Sequence, residues 1–231
     1  MKNSLVKKLL VSTSLVSAMA ITAMANAAVA PFNATYNFNI EGKYNGTASR
    51  VLTQTGNQYF YNVNASVGKL ASAKQTANFV NANGAILPVS ALTQYKILGT
   101  GRTTTLNFNN AKKQLVTNYK GQNKVIALPQ PAYDDLSLEI QIREDLKAGK
   151  FRGNYYMADR NTGEAVPFKR SAVTRITVPA GTFDVVRIDR VHDDKDRQTS
   201  FWLAPKLDYL PVKVVQNNDG KKMEMNLVKV N

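Results

Sequence analysis

The sequence predicts a mainly β protein. It would be a single curved antiparallel sheet, rolled into an open or partly closed barrel around one helix. Three observations carry this. Apolar and polar residues alternate with a period of two along most of the chain. Turn signals such as Asn-Gly, Gly-Asn and Asp-Gly separate those runs at short intervals. Only one segment carries helical spacing with capping residues at both ends. No low-complexity linker or clear internal repeat divides the chain, so residues 28–231 read as one β-rich domain with a helical insertion near residues 134–148.

Residues 1–27 have another character. Lys2, Lys7 and Lys8 make a basic start, residues 9–24 are uncharged and largely apolar, and Ala25-Asn26-Ala27 is a small-x-small cleavage pattern. That order predicts a cleaved signal peptide and a periplasmic protein. Removing three lysines and no acid lowers the formal charge from +14 to +11, so the basic character belongs to the folded part. The chain has no cysteine, which excludes disulfides, thiol catalysis and a lipid anchor at the cleavage site. Beyond residue 27 no apolar run approaches the ~20 residues of a membrane helix, so no stable membrane anchor is expected.

In chain order, Tyr36, Phe38 and Ile40 alternate with asparagines, Asn45-Gly46 turns, and Thr47 to Thr55 returns. After Gly56-Asn57, Tyr59, Tyr61 and Val63 alternate again, completing a meander. Asn83-Gly84 precedes a strand from Ile86 to Ile97, and Gly99 and Gly101 break the chain before Thr103 to Phe108. Two short strands follow, Leu115 to Tyr119 and Lys124 to Leu128, until Pro129 and Pro131 end regular pairing. Asp134 and Asp135 offer an N-cap, Leu136, Ile140 and Arg143 share a side with Leu146 and Ile142 adjacent, and Gly149 suits the C-terminal stop. These predict a helix from Asp134 to Ala148. Strands resume at Phe151 to Ala158 and Ala165 to Val178, the latter bent near Pro167. Phe183 to Val191, Thr199 to Leu203, Tyr209 to Gln216 and Lys222 to Val230 complete about eleven strands.

Catalytic signatures are missing. His192 is the sole histidine, and it sits in a charged segment, Val191 to Arg197, read as a solvated hairpin tip. No G-x-S-x-G elbow is present, and no spacing singles out a carboxylate pair. No cofactor, metal site or catalytic residue is expected, and nucleic acid is an unlikely partner for an exported chain. The aromatic and basic residues point elsewhere. A partly filled curved sheet lined by Tyr and Phe, with a basic rim, suits an acyl chain or glycan with an acidic head. The candidate ligand-binding residues are Tyr36, Phe38, Tyr59, Tyr61, Tyr95 and Phe108, with Arg102 and Arg187 as cations. Trp202 reads as core.

The C-terminal third carries a recognisable pattern. Val178-Pro179-Ala180-Gly181-Thr182-Phe183-Asp184 leads to Phe201-Trp202-Leu203-Ala204-Pro205, and Leu207-Asp208-Tyr209-Leu210-Pro211 completes it. Pro31-Phe32-Asn33 at the start of the domain and Asp134-Asp135-Leu136-Ser137 at the helix fit as well. The sequence resembles the exported bacterial family catalogued as domain of unknown function 3108. That resemblance implies a periplasmic β-rich protein whose architecture is similar to the open barrels of lipoprotein carriers. The expected function is non-enzymatic binding of a lipophilic or anionic envelope ligand: a lipid, lipopolysaccharide or acidic glycan. Two alternatives stay open: a protein-interaction module for envelope maintenance that accepts a partner strand, and a hydrolase of envelope polymers.

Overall fold

The computed structural model describes residues 29–231, so the segment read as a signal peptide lies outside the described residues. The chain forms β1 (Phe32–Ile40), β2 (Tyr44–Thr55), β3 (Gln58–Val67), β4 (Ala71–Ala82), β5 (Ala85–Ile97), β6 (Thr100–Asn109), β7 (Gln114–Tyr119) and β8 (Gln122–Ala127). Helix α1 (Asp135–Lys147) follows. Then come β9 (Asn154–Ala158), β10 (Gly163–Val178), β11 (Gly181–Arg190), β12 (Arg197–Ala204), β13 (Leu210–Asn218) and β14 (Lys221–Val230). All fourteen strands join one sheet in the order β8-β7-β6-β5-β4-β3-β2-β1-β14-β13-β12-β11-β10-β9. Every pairing between these strands is antiparallel, and the first and last strands are neighbours, with Ala34 opposite Val230. The edges are β8 and β9, which flank the helix in sequence. The predicted class, a curved antiparallel sheet forming an open or partly closed barrel around one helix, is the observed one, with the sheet left open.

The chain crosses the seam between the two edges and enters the interior as α1. Just before the helix, Tyr133 N–H donates to Tyr156 O at 2.9 Å and Ala158 N–H donates to Tyr133 O at 2.9 Å, so this segment covers the free edge of β9. Leu106, Phe108 and Leu115 on one side of the seam pack with Leu128, Ala132 and Ala158. Of the two candidate caps Asp134 is the one used: its carboxylate accepts from the amides of Leu136 and Ser137 at 3.0 and 3.2 Å. The eight residues from Leu136 to Arg143 are all buried. The helix is therefore surrounded, where its sequence predicts one apolar side. Its polar side chains find partners on the barrel wall: Gln141 Oε1 accepts from the Ile86 amide at 2.9 Å, and Arg143 Nε donates to Asp208 O at 3.0 Å.

Three local expectations change. The first hairpin turns at Glu41-Gly42, both at positive φ, and Asn45-Gly46 lies inside β2. Gly46 is needed there because a Cβ would overlap the Phe38 ring and the Ser66 carbonyl. A strand the alternation did not reveal, β4, spans Ala71–Ala82; with the sheet's total of fourteen it exceeds the count expected from sequence. Trp202 is only partly buried and lies between the cations of Arg187 and Lys213, 6.0 and 5.6 Å from its ring. The bend expected at Pro167 is where β10 changes partner, from β9 (Pro167 opposite Asn154) to β11 (Phe168 opposite Arg190). Proline lacks the amide a continuing ladder needs.

Candidate ligand-binding cavity

The interior has two unlike ends. Around the middle and C-terminal part of α1, Tyr59, Tyr61, Phe79, Ile86 and Tyr155 pack with Ile140 and Leu146 into a filled core. Tyr59 and Phe79 stack with centroids 5.3 Å apart. At the other end the inward positions of β2, β3 and β4 are Ala48, Ala65, Ala71 and Ala73. Short side chains on that wall cannot reach the helix, and a cavity of about 780 Å³ remains. This volume lies in the range of small-molecule sites, roughly 300–1,000 Å³. Phe38, Val63, Leu136, Leu138, Ile142, Met157, Phe201, Val214, Met223 and Met225 supply most of the remaining apolar lining. A second hollow, about 450 Å³, has Thr47, Asn64 and Gln94 in its lining. Those polar groups make it a poorer apolar site.

Polar groups enter the cavity at two depths. Deep inside, Arg50 on β2 pairs with Glu139 of the helix, and Tyr61 OH donates to Glu139 Oε1 at 2.9 Å. The guanidinium lies 5.8 and 5.5 Å from the ring centroids of Tyr36 and Tyr61. Burial opposes the charge on Arg50, but Glu139, Tyr61 and Tyr36 outweigh it and hold its pKa above the usual guanidinium value. The same burial raises the Tyr61 phenol well above its ordinary range and pushes Tyr36 up to about 12. Arg50 is only 5% exposed, yet its Nε and Nη1 find no hydrogen-bond acceptor among the described residues. Nearer the mouth, Arg190, His192 and Arg197 join the lining with Asp135. His192 faces Thr199 Oγ1 at 3.1 Å; burial, then Arg190 and Arg197, lower its pKa. Arg190 Nε is also buried without an acceptor.

The residues singled out from sequence divide among these surroundings. Phe38 and Tyr95 line the cavity. Tyr36, Tyr59 and Tyr61 are buried in the packed interior, with Tyr36 OH donating to Pro211 O at 2.8 Å. Phe108 belongs to the small cluster at the seam. Arg102 is exposed on β6 opposite Tyr95. Arg187 points away from the interior, where its neighbours Val186 and Ile188 are buried, and pairs with Asp189 at 2.9 Å. The sequence reading did not single out the alanines, Arg50, Glu139 or Arg190 as one site. Arg50 had a signal, a charge on the inward side of the alternation in β2, with Ala48 and Leu52 as its buried neighbours. His192, expected at a solvated tip, is partly buried on the cavity wall.

The fold and this interior define an open β-barrel with an internal helix and one hollow end. The chain belongs to the family described as protein of unknown function DUF3108, which matches residues 31–226. No curated protein matches the chain. Among solved structures it is similar to a beta-barrel-like protein of domain of unknown function DUF1849 from Brucella abortus. That match has a TM-score of 0.59 at 11% identity and covers 89% of this chain and 98% of the other. At that identity the likeness is one of fold.

Proposed function

We propose that this protein is a non-enzymatic component of the bacterial periplasm that binds an amphipathic, anionic envelope ligand inside its barrel. The observation that carries the reading is the meeting of apolar walls with buried arginine N–H groups lacking acceptors, Arg50 deep in the cavity and Arg190 near its mouth. A buried guanidinium N–H without an acceptor is costly, and a ligand oxygen relieves it. An acyl chain fits the methionine- and alanine-lined hollow, while an acidic head lies near Arg190 and Arg197. The signal-like residues 1–27 and the charge of +11 left after them support an envelope setting and an anionic partner.

The test is lipid mass spectrometry on protein purified from its native envelope. One anionic lipid class is expected at near-stoichiometric amount. Ala65→Trp and Ala73→Trp fill the hollow from its wall and should abolish the bound lipid while leaving the circular dichroism spectrum unchanged. If wild-type protein carries no lipid and takes up no fluorescent fatty acid, the proposal fails.

A further inference from the structure

Four large apolar residues are exposed together at the open end of the barrel. Leu98 is 75% exposed, Ile97 66%, Tyr95 53% and Leu70 51%. Two neighbouring turns present them. Leu98 N–H donates to Leu70 O at 2.8 Å, which ties the β3–β4 turn to the β5–β6 turn, and Ile97 lies opposite Ala71. Leu98 holds a left-handed backbone, φ 50°, a conformation uncommon for a leucine. Tyr95 and Ile97 belong to both the lip and the cavity lining, so the exposed surface runs without a break into the hollow.

Cations frame this lip. Lys69, Lys96 and Arg102 are exposed beside it, and none of them enters any of the ion pairs among the described residues. The acids of the same end lie on other turns. Asp193, Asp194 and Asp196 follow β11, and Asp219 N–H donates to Asp196 O at 3.3 Å. One side of the mouth is apolar and basic; on the other, Lys195, Arg197, Lys221 and Lys222 intersperse the acids. We propose that the lip docks on a bilayer rich in anionic lipid, with Leu70, Ile97 and Leu98 entering the headgroup–acyl boundary and the three cations lying on the phosphates. Aromatic Tyr95 suits the interface between the two. In that orientation the hollow opens directly onto the acyl region. This docking deepens the cavity reading by placing the ligand's source beneath the mouth.

The experiment is vesicle flotation at low salt. Wild-type protein should float with vesicles containing phosphatidylglycerol and stay behind with pure phosphatidylcholine. Ile97→Ser with Leu98→Ser removes two exposed apolar groups and should weaken flotation about tenfold or more. Lys69→Glu with Lys96→Glu should abolish it. All four positions are on the surface, so these variants should keep the wild-type melting temperature. Ala73→Trp separates the two readings, because it fills the cavity and should leave flotation intact. Equal binding of wild type and the serine variant would overturn the docking. So would a failure to float accompanied by lip-dependent capture of a single protein partner, an outcome that would assign the lip to that partner even if the cavity still held lipid.

Discussion

The two ends of the barrel interior are built from the same strands with the same alternation. Their inward residues differ chiefly in bulk, aromatic at the packed end and alanine-rich at the hollow one. On β3, Tyr59 and Tyr61 face the packed end, and Val63 and Ala65 face the hollow one. On β4 the corresponding residues are Phe79 and Ala77, then Gln75 and Ala73. The sheet's period decides which side chains face inward. Their size decides whether that position becomes core or cavity.

The contrast can be broken at the one point where both ends share a structure, the Arg50–Glu139 pair. Glu139→Leu leaves Arg50 buried without its counter-ion and should cost ~3–5 kcal/mol in urea unfolding. Replacing both, Arg50→Met with Glu139→Leu, should recover most of that loss. If the double variant is as unstable as the single one, the stranded Arg50 charge is not the source of the loss. A smaller effect sharpens the comparison within the interior. Ile140→Ala removes a fully buried side chain from the packed end and should cost ~2–5 kcal/mol. Met225→Ala at the hollow end removes a side chain already facing open space and should cost well under half as much. Equal losses would mean that the hollow collapses around its wall.

The smallest effect concerns pH. Burial pushes the Asp134 carboxyl from 3.8 up to about 6, against the hydrogen bonds it accepts from Ser137 and Leu136. The folded state then holds this proton more tightly than the unfolded chain. Its contribution is most favourable below pH 3.8, declines as pH rises towards 6, and is constant above that. Asparagine keeps an acceptor at the cap and cannot titrate. The stability of wild type minus that of Asp134→Asn should therefore fall between pH 4 and 6, by at most ~3 kcal/mol. A difference that rises over this window would sink the assignment.

Much of the architecture was legible because it rests on local rules. The helix cap at Asp134, the Asn83-Gly84 turn and the alternation through Tyr36 and Phe38 each follow from single residues and their spacing. The cavity was not legible, for a related reason. Strand β4 turns Ala71, Ala73, Gln75 and Ala77 inward, and so short a row gives almost no hydrophobic alternation. The strand that escapes a search for large apolar residues is the one that makes room for a ligand. Gly46 misled in the opposite sense. It looks like a turn residue, and its lack of a side chain instead serves the Phe38 ring across the hairpin. Arg50 and Glu139 lie far apart in sequence and no local pattern pairs them. The surrounded helix conceals its neighbours in the same way, since burial on every side leaves little periodicity to read.

The pairing of β1 with β14 has a consequence for how the molecule is assembled. Strands β1 to β8 form one run of successive hairpins, and β9 to β14 form another. Each run can zip up from near neighbours in the chain as it emerges. The single ladder that joins the runs, with Tyr36 opposite Leu227 and Phe38 opposite Met225, closes the longest loop in the protein. Forming that ladder carries the greatest chain-entropy cost, and it awaits β14. Until β14 arrives, two half-sheets tethered through the helix expose their inner faces, and the interval before closure is when the chain most needs protection from aggregation.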